Sequence, residues 1–125
     1  MEISKDFLII ALVIVGFMAL ASLSMTQIEE VPEDMDAFAK CLTDNGARMY
    51  GAYWCGHCNE QKESFGESWE FIDYVECSYS SGGQALECST AGIKAYPTWE
   101  FKDGSRLSGR LSFEELSRNT GCGIN

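Results

Sequence analysis

A mixed α/β domain, with a central sheet flanked by helices and one apolar helix in front of it, is what this sequence predicts. Three observations predict it: an uncharged apolar run near the N-terminus, alternating helical and strand-like periods from about residue 33, and an Asp-Gly hairpin signal near the end. The 125 residues make one domain of ordinary size and are too few for two independent cores. Hydrophobic residues at 46% and aromatic residues at 12% argue against disorder and supply a core. Nine basic and 19 acidic side chains give a net charge of −10, which argues against nucleic acid as a partner, because phosphate is held by clustered Lys and Arg.

The first element is Phe7 to Leu23 (FLIIALVIVGFMALASL), which carries no charge. A bilayer core needs about 20 apolar residues, with a lower limit near 17, and the run reaches that length if extended to Met25. Residues 1–25 therefore read as a membrane anchor or a signal peptide. Ala19-Leu20-Ala21 fits a small-x-small cleavage pattern, but Lys5 is offset by Glu2 and Asp6, a weak positive lead. Lys5 before the run and Glu29, Glu30, Glu33 and Asp34 after it orient the remainder outward, into an oxidising compartment. Alternatively the chain is secreted, or periplasmic after cleavage. Residues 26–32 read as an acidic linker and 33–125 as the folded domain.

Pro32 in a first turn, followed by Glu33 and Asp34, predicts a helix start, with Met35, Phe38, Ala39 and Leu42 on one face and Asn45-Gly46 as the stop. Ala47 to Tyr53 predicts a strand. From Cys55 the pattern turns helical, with Cys58, Gln61, Lys62 and Phe65 on one side and Gly66 closing it. Tyr74 to Ser78 reads as a second strand, Ser80 to Gly83 as a loop, and Gln84 to Ala91 as a short helix with Gly92 after it. Thr98 to Lys102 alternates, Asp103-Gly104 signals a hairpin, and Ser105 to Arg110 returns. Ser112 and Glu115 form a capping box for the last helix. One parallel crossover followed by a hairpin implies a mixed sheet.

The chemistry concentrates in the cysteines, six in all, and in the single histidine, which excludes any site needing two imidazoles. Trp54-Cys55-Gly56-His57-Cys58 stands just after a strand and at a helix start. There the unpaired backbone N–H groups and the helix dipole favour a thiolate on Cys55, and protonated His57 adds positive charge. A thiolate-stabilising shift of one pKa unit is about 1.4 kcal/mol, or about 30 mV for a two-electron couple, so an intermediate to oxidising disulfide is expected. Zinc is the competing reading, with Cys77 and Cys88 completing four thiolates, but their C-x10-C spacing differs from the repeated short spacing of zinc ribbons. No metal is expected, and no cofactor beyond the Cys55–Cys58 disulfide.

Trp54-Cys55-Gly56-His57-Cys58, Gly92 to Thr98 and the Asp103-Gly104 hairpin together resemble the thioredoxin-like fold over nearly all of residues 33–121. Met49 to Glu63, Phe65-Gly66, Tyr74 to Cys77 and Tyr96-Pro97-Thr98-Trp99 more narrowly resemble the thioredoxin-like domain attached to bacterial vitamin K epoxide reductase homologues, and related membrane-tethered proteins. The resemblance implies a thiol–disulfide oxidoreductase that forms or exchanges disulfides in protein substrates. A vitamin K epoxide reductase-type or other quinone-coupled membrane oxidase would re-oxidise it. It also implies that Pro97 is a cis-proline beside the active-site disulfide, with the Tyr96 backbone free to pair with a substrate strand.

Trp54 and Gly56 join Tyr96 as expected substrate contacts; the plainer role for Trp54 is core packing, and for Pro97 an ordinary strand start. Two departures stand out. Met49 occupies the position where thioredoxins carry a buried acid, leaving Glu60 or water to serve Cys58. Gly-His also replaces the Pro-His pair common in the closer family. The other four cysteines allow three pairings; Cys77–Cys88 and Cys41–Cys122 are expected by adjacency, as structural staples, with Cys77–Cys88 as a second electron relay the alternative. The domain is expected to act as a monomer, with a membrane-tethered reductase or isomerase as the nearest alternative activity and a zinc-stabilised binding module as the one of another class.

Overall fold

The computed structural model describes residues 4–21 and 31–124. The expected apolar helix forms as α1 (Lys5–Ala21), and its large side chains are exposed, Phe7 at 70% and Phe17 at 77%. With a rise of about 1.5 Å per residue it is about 26 Å long, against about 30 Å of bilayer hydrocarbon. Among the described residues no helix is long and apolar enough to cross a membrane. Residues 22–25 of the expected span and 26–30 of the expected linker lie outside the described residues.

The remaining elements are α2 (Met35–Asp44), β1 (Arg48–Gly51), α3 (Gly56–Phe65), a 3₁₀ helix (Gly66–Phe71), β2 (Tyr74–Glu76), α4 (Leu86–Thr90), β3 (Thr98–Glu100), β4 (Arg106–Ser108) and α5 (Phe113–Thr120). Their order follows the one expected, with three corrections. Pro32 does not open α2; the Asp34 carboxylate accepts from Ala37 N–H at 2.9 Å and caps the helix two residues further on. The 3₁₀ helix was not anticipated, because Gly66 turns the chain without ending helical hydrogen bonding. Asp103-Gly104 sits inside a wider connection between β3 and β4, where the Asp103 carboxylate takes the N–H and hydroxyl of Ser105.

The sheet order is β2-β1-β3-β4, with β1 and β2 parallel and the other pairs antiparallel. Alternation along β1 separates two cores. Met49 faces Phe38, Leu42, Phe65, Trp99 and Leu116, whereas Tyr50 faces the opposite side with Cys77, Cys88 and Ile93. Three rings tie α2, α3 and α5 together: Phe38, Phe65 and Phe113 lie with centroids 5.3–6.3 Å apart. Each such buried side chain contributes about 1.5–3 kcal/mol. The capping box of α5 forms as expected, Ser112 Oγ accepting from Glu115 N–H and Glu115 Oε2 from Ser112 N–H.

Gln61 is the one fully buried polar side chain of α3, and it is fully occupied. Its Oε1 accepts from Leu111 N–H at 2.8 Å and from Trp99 Nε1–H at 3.3 Å, while Nε2 donates to the Leu111 carbonyl at 3.2 Å. This one residue fastens the helix behind the CxxC segment to β3 and to the chain entering α5. Cys41 pairs with Cys122 and Cys77 with Cys88, the pairing expected from adjacency.

Candidate redox site

β1 delivers the chain to Ala52, and the turn Tyr53–Trp54 brings Cys55 to the N-cap of α3 in extended conformation (φ −80°, ψ 117°). There Cys55 Sγ accepts from Cys58 N–H at 3.2 Å, the side-chain-to-backbone bond by which Ser or Asp caps a helix. Cys55 and Cys58 are disulfide-bonded, with Cα atoms 5.2 Å apart. They differ in access: Cys55 is 7% exposed and Cys58 is sealed at 0%. The cysteine that keeps some exposure is thus also the one at the positive end of the helix dipole.

His57 projects into solvent from the first turn, and its Nδ1 lies 3.0 Å from Glu60 Oε2. That carboxylate offsets the positive charge expected to act on Cys55, and it corrects the idea that Glu60 serves Cys58: Glu60 is turned to His57 at the surface. Gly56 is exposed and a side-chain carbon added there would meet nothing within 4 Å, so no packing demands glycine at this position.

The Tyr96–Pro97 peptide bond is cis, the geometry the resemblance implies. The two segments expected to meet substrate do meet each other. Trp54, 61% exposed, sets its ring edge against Tyr96 at a centroid distance of 5.9 Å, and its Nε1–H donates to Ser78 Oγ at 2.8 Å. This exposure corrects the reading of Trp54 as core packing. The Tyr96 hydroxyl accepts from Gln84 Nε2 at 2.7 Å. Between these groups lies an open cavity of about 370 Å³ lined by Tyr53, Trp54, Ser78, Tyr79, Gln84 and Tyr96, among others, none of them charged. His57 lies apart from it, on a second cavity beside Arg110 and Glu115.

Sequence reasoning passed over Glu76. Its Oε1 accepts from Tyr53 N–H and Ser78 N–H, each at 3.1 Å, and its Oε2 accepts the Tyr74 hydroxyl at 2.7 Å. One carboxylate thereby holds the end of β2 against the turn that presents Cys55. The alternation of Tyr74 and Glu76, two residues apart on one strand face, was the available signal. The four-thiolate zinc set is not assembled, since the six cysteines form three disulfides and, among the described residues, no group of three or more His, Cys, Asp or Glu could hold a metal ion.

A mixed four-stranded sheet with helices, carrying a paired Cys-x-x-Cys at a helix N-terminus, fits the thioredoxin-like class. The chain is a homologue of a thiol–disulfide oxidoreductase. That relative is thiol-disulfide oxidoreductase LTO1 of Arabidopsis thaliana, 45% identical over 93 residues that make up 70% of this chain. The chain spans 24% of the length of the plant protein. No family model matches it.

Proposed function

We propose that the domain is an extracytoplasmic thiol–disulfide oxidoreductase working through Cys55 and Cys58. The observation that carries this is the asymmetry of the pair: a cysteine at a helix N-cap that keeps 7% exposure, bonded to one that is fully buried. A substrate thiolate attacks Cys55 Sγ, the Cys55–Cys58 bond breaks, and Cys58 leaves as thiolate. A second substrate thiolate then attacks the substrate sulfur of the mixed disulfide and expels Cys55 thiolate. The substrate has lost two electrons and the pair has gained them. Pro97 and Tyr96 would align an extended substrate backbone beside Cys55, and Trp54 and Gly56 would border it. No cofactor beyond the disulfide is needed.

Two further disulfides support an oxidising compartment. The apolar sequence from Phe7 to Met25 supports a tether or a cleaved leader, and a tether would hold the domain near a membrane oxidase. The family resemblance supports a quinone-coupled oxidase of the vitamin K epoxide reductase type as the partner that re-oxidises the pair, and the domain would act as a monomer.

Trapping tests the proposal. In the full chain, Cys58→Ala should accumulate mixed disulfides between Cys55 and protein substrates, and Cys55→Ser should abolish both these adducts and insulin reduction. Insulin reduction at undiminished rate by Cys55→Ser would refute it.

A further inference from the structure

Every turnover of the redox pair, on the reading just given, makes Cys58 lose or regain a proton, yet Cys58 is sealed from water. Met49 fills the position where the resemblance places an acid, and it too is fully buried. The adjacent strand supplies another route. Gly51 of β1 pairs with Glu76 of β2. A side-chain carbon added at Gly51 would stand 3.1 Å from Cys58 Sγ and 3.2 Å from Tyr74 Oη. The Tyr74 ring, at 2.9 Å, fills the same spot, so the sulfur and the phenol oxygen close on one point from which glycine keeps a side chain away. Gly51 is not among the glycines with positive φ, so this clearance, and not the backbone, calls for glycine.

We propose that Tyr74 and Glu76 form the proton relay of Cys58. In the reductive direction Cys58 sulfur attacks Cys55 of the mixed disulfide, the new Cys55–Cys58 bond forms, and the substrate leaves as thiolate with the electron pair of the broken bond. The Cys58 proton passes to Tyr74 Oη while the Tyr74 hydroxyl proton passes to Glu76 Oε2, so the phenol ends neutral as it began. Exposed Glu76 returns the proton to solvent. In the oxidative direction the same path delivers a proton to the Cys58 thiolate that a substrate has displaced.

The surroundings agree with a phenol that hands on a proton without ionising. Burial first, and the Glu76 acceptor second, hold the Tyr74 hydroxyl above its ordinary value. The groups facing it are Lys62 of α3, whose Nζ is 4.1 Å from the ring centroid, Glu76 on its own strand, Tyr96 before β3, and Cys58 in the first turn of α3. Lys62 lies over the ring, and Glu76 is the acceptor of the hydroxyl.

The inference rests on Cys55–Cys58 being the redox pair, and the test separates the two claims. Reduced full-length chain is mixed with dithiobis-nitrobenzoate and thionitrobenzoate release is followed in two phases, attack by Cys55 and then resolution by Cys58. Absence of the first phase would sink the redox reading itself. Tyr74→Phe removes only the hydroxyl; Glu76→Gln keeps Oε1 for its two backbone donors and removes the base. In each, the second phase should slow relative to the first by at least about tenfold at neutral pH, and its rate profile should move to higher pH. In the unaltered chain the second phase should slow more in heavy water than the first. An unmoved profile in either variant, or equal slowing of both phases in heavy water, overturns the relay.

Discussion

Substituting both Cys41 and Cys122 with alanine should remove the largest single covalent contribution to stability. The bridge joins α2 to the chain after α5, 81 residues apart in sequence. In the chain-entropy treatment a loop of that size restricts the unfolded ensemble by about 4.5 kcal/mol, and the Cys77–Cys88 loop, with its separation of 11, by about 2.8 kcal/mol. For a domain of about 90 residues the first figure corresponds to a fall of about 20 °C or more in Tm. Local packing adds to the loss mainly on one side, since Cys41 is only partly buried whereas Cys122 is 1% exposed in the core, and Asn45 loses its hydrogen bonds to both sulfurs. Guanidinium unfolding followed by tryptophan fluorescence suits the measurement, because Trp99 is fully buried. The m-value should rise as well, since the unlinked unfolded chain exposes more surface. If Cys41→Ala/Cys122→Ala costs no more than Cys77→Ala/Cys88→Ala, loop closure is not what this bridge supplies.

Gln61→Ala leaves the Leu111 N–H, the Leu111 carbonyl and the Trp99 indole without their partner in a buried site. At about 1–3 kcal/mol for each abandoned group, partly relieved by relaxation, a loss of about 3 kcal/mol or more in urea unfolding is expected, and a loss under about 1 kcal/mol would show that these bonds are dispensable. Alkaline titration of the phenols checks the setting of Tyr74. Of the five tyrosines, Tyr74 should ionise late, above the ordinary value of about 10, and Tyr74→Phe should delete that late step from the near-ultraviolet absorbance. The sign for stability follows: with the folded value raised, the contribution is whole below the unfolded pKa and is lost as pH climbs from there through the folded value. An alkaline limb of unfolding equally steep in Tyr74→Phe would refute that assignment.

Much of the fold was legible because its signals are local. Phe38, Ala39 and Leu42 are the buried face of α2 with Met35 partly buried beside them, Ser112 and Glu115 cap α5 as written, and the Cys-x-x-Cys falls at the start of α3. The misses have a common physical cause, competition that only tertiary neighbours decide. Pro32 suits a first turn, but the Asp34 side chain captures Ala37 N–H and starts the helix later. The segment Ala47 to Tyr53 reads as one long strand, whereas its partners β2 and β3 are three residues each and leave only four residues of it paired. In the candidate site, the Cys-x-x-Cys pair is spelled out in the chain, but its support is not. Gln61 reads as one more position on a helix face until Leu111, fifty residues on, places two backbone groups against it. Tyr74 and Glu76 gain meaning only when Gly51 brings β2 to the sealed cysteine.

The same geometry favours one of the two roles open to Cys77 and Cys88. A relay disulfide must be reached by a thiolate in line with one of its sulfurs, and both residues are 0% exposed, packed with Tyr50 and Ile93 on the sheet face opposite Met49. Cys77 also lies directly after Glu76 and donates its N–H to the Gly51 carbonyl at 2.8 Å. A bridge anchored there fixes the strand end from which Glu76 grips Tyr53 and Ser78 receives Trp54. On the proposed function its consequence for chemistry is therefore positional: cutting it should loosen the frame around Cys55 while leaving the proposed electron path through Cys55 and Cys58 intact. The bridge braces the proposed redox pair from the far side of the sheet, which argues for a staple over a second carrier.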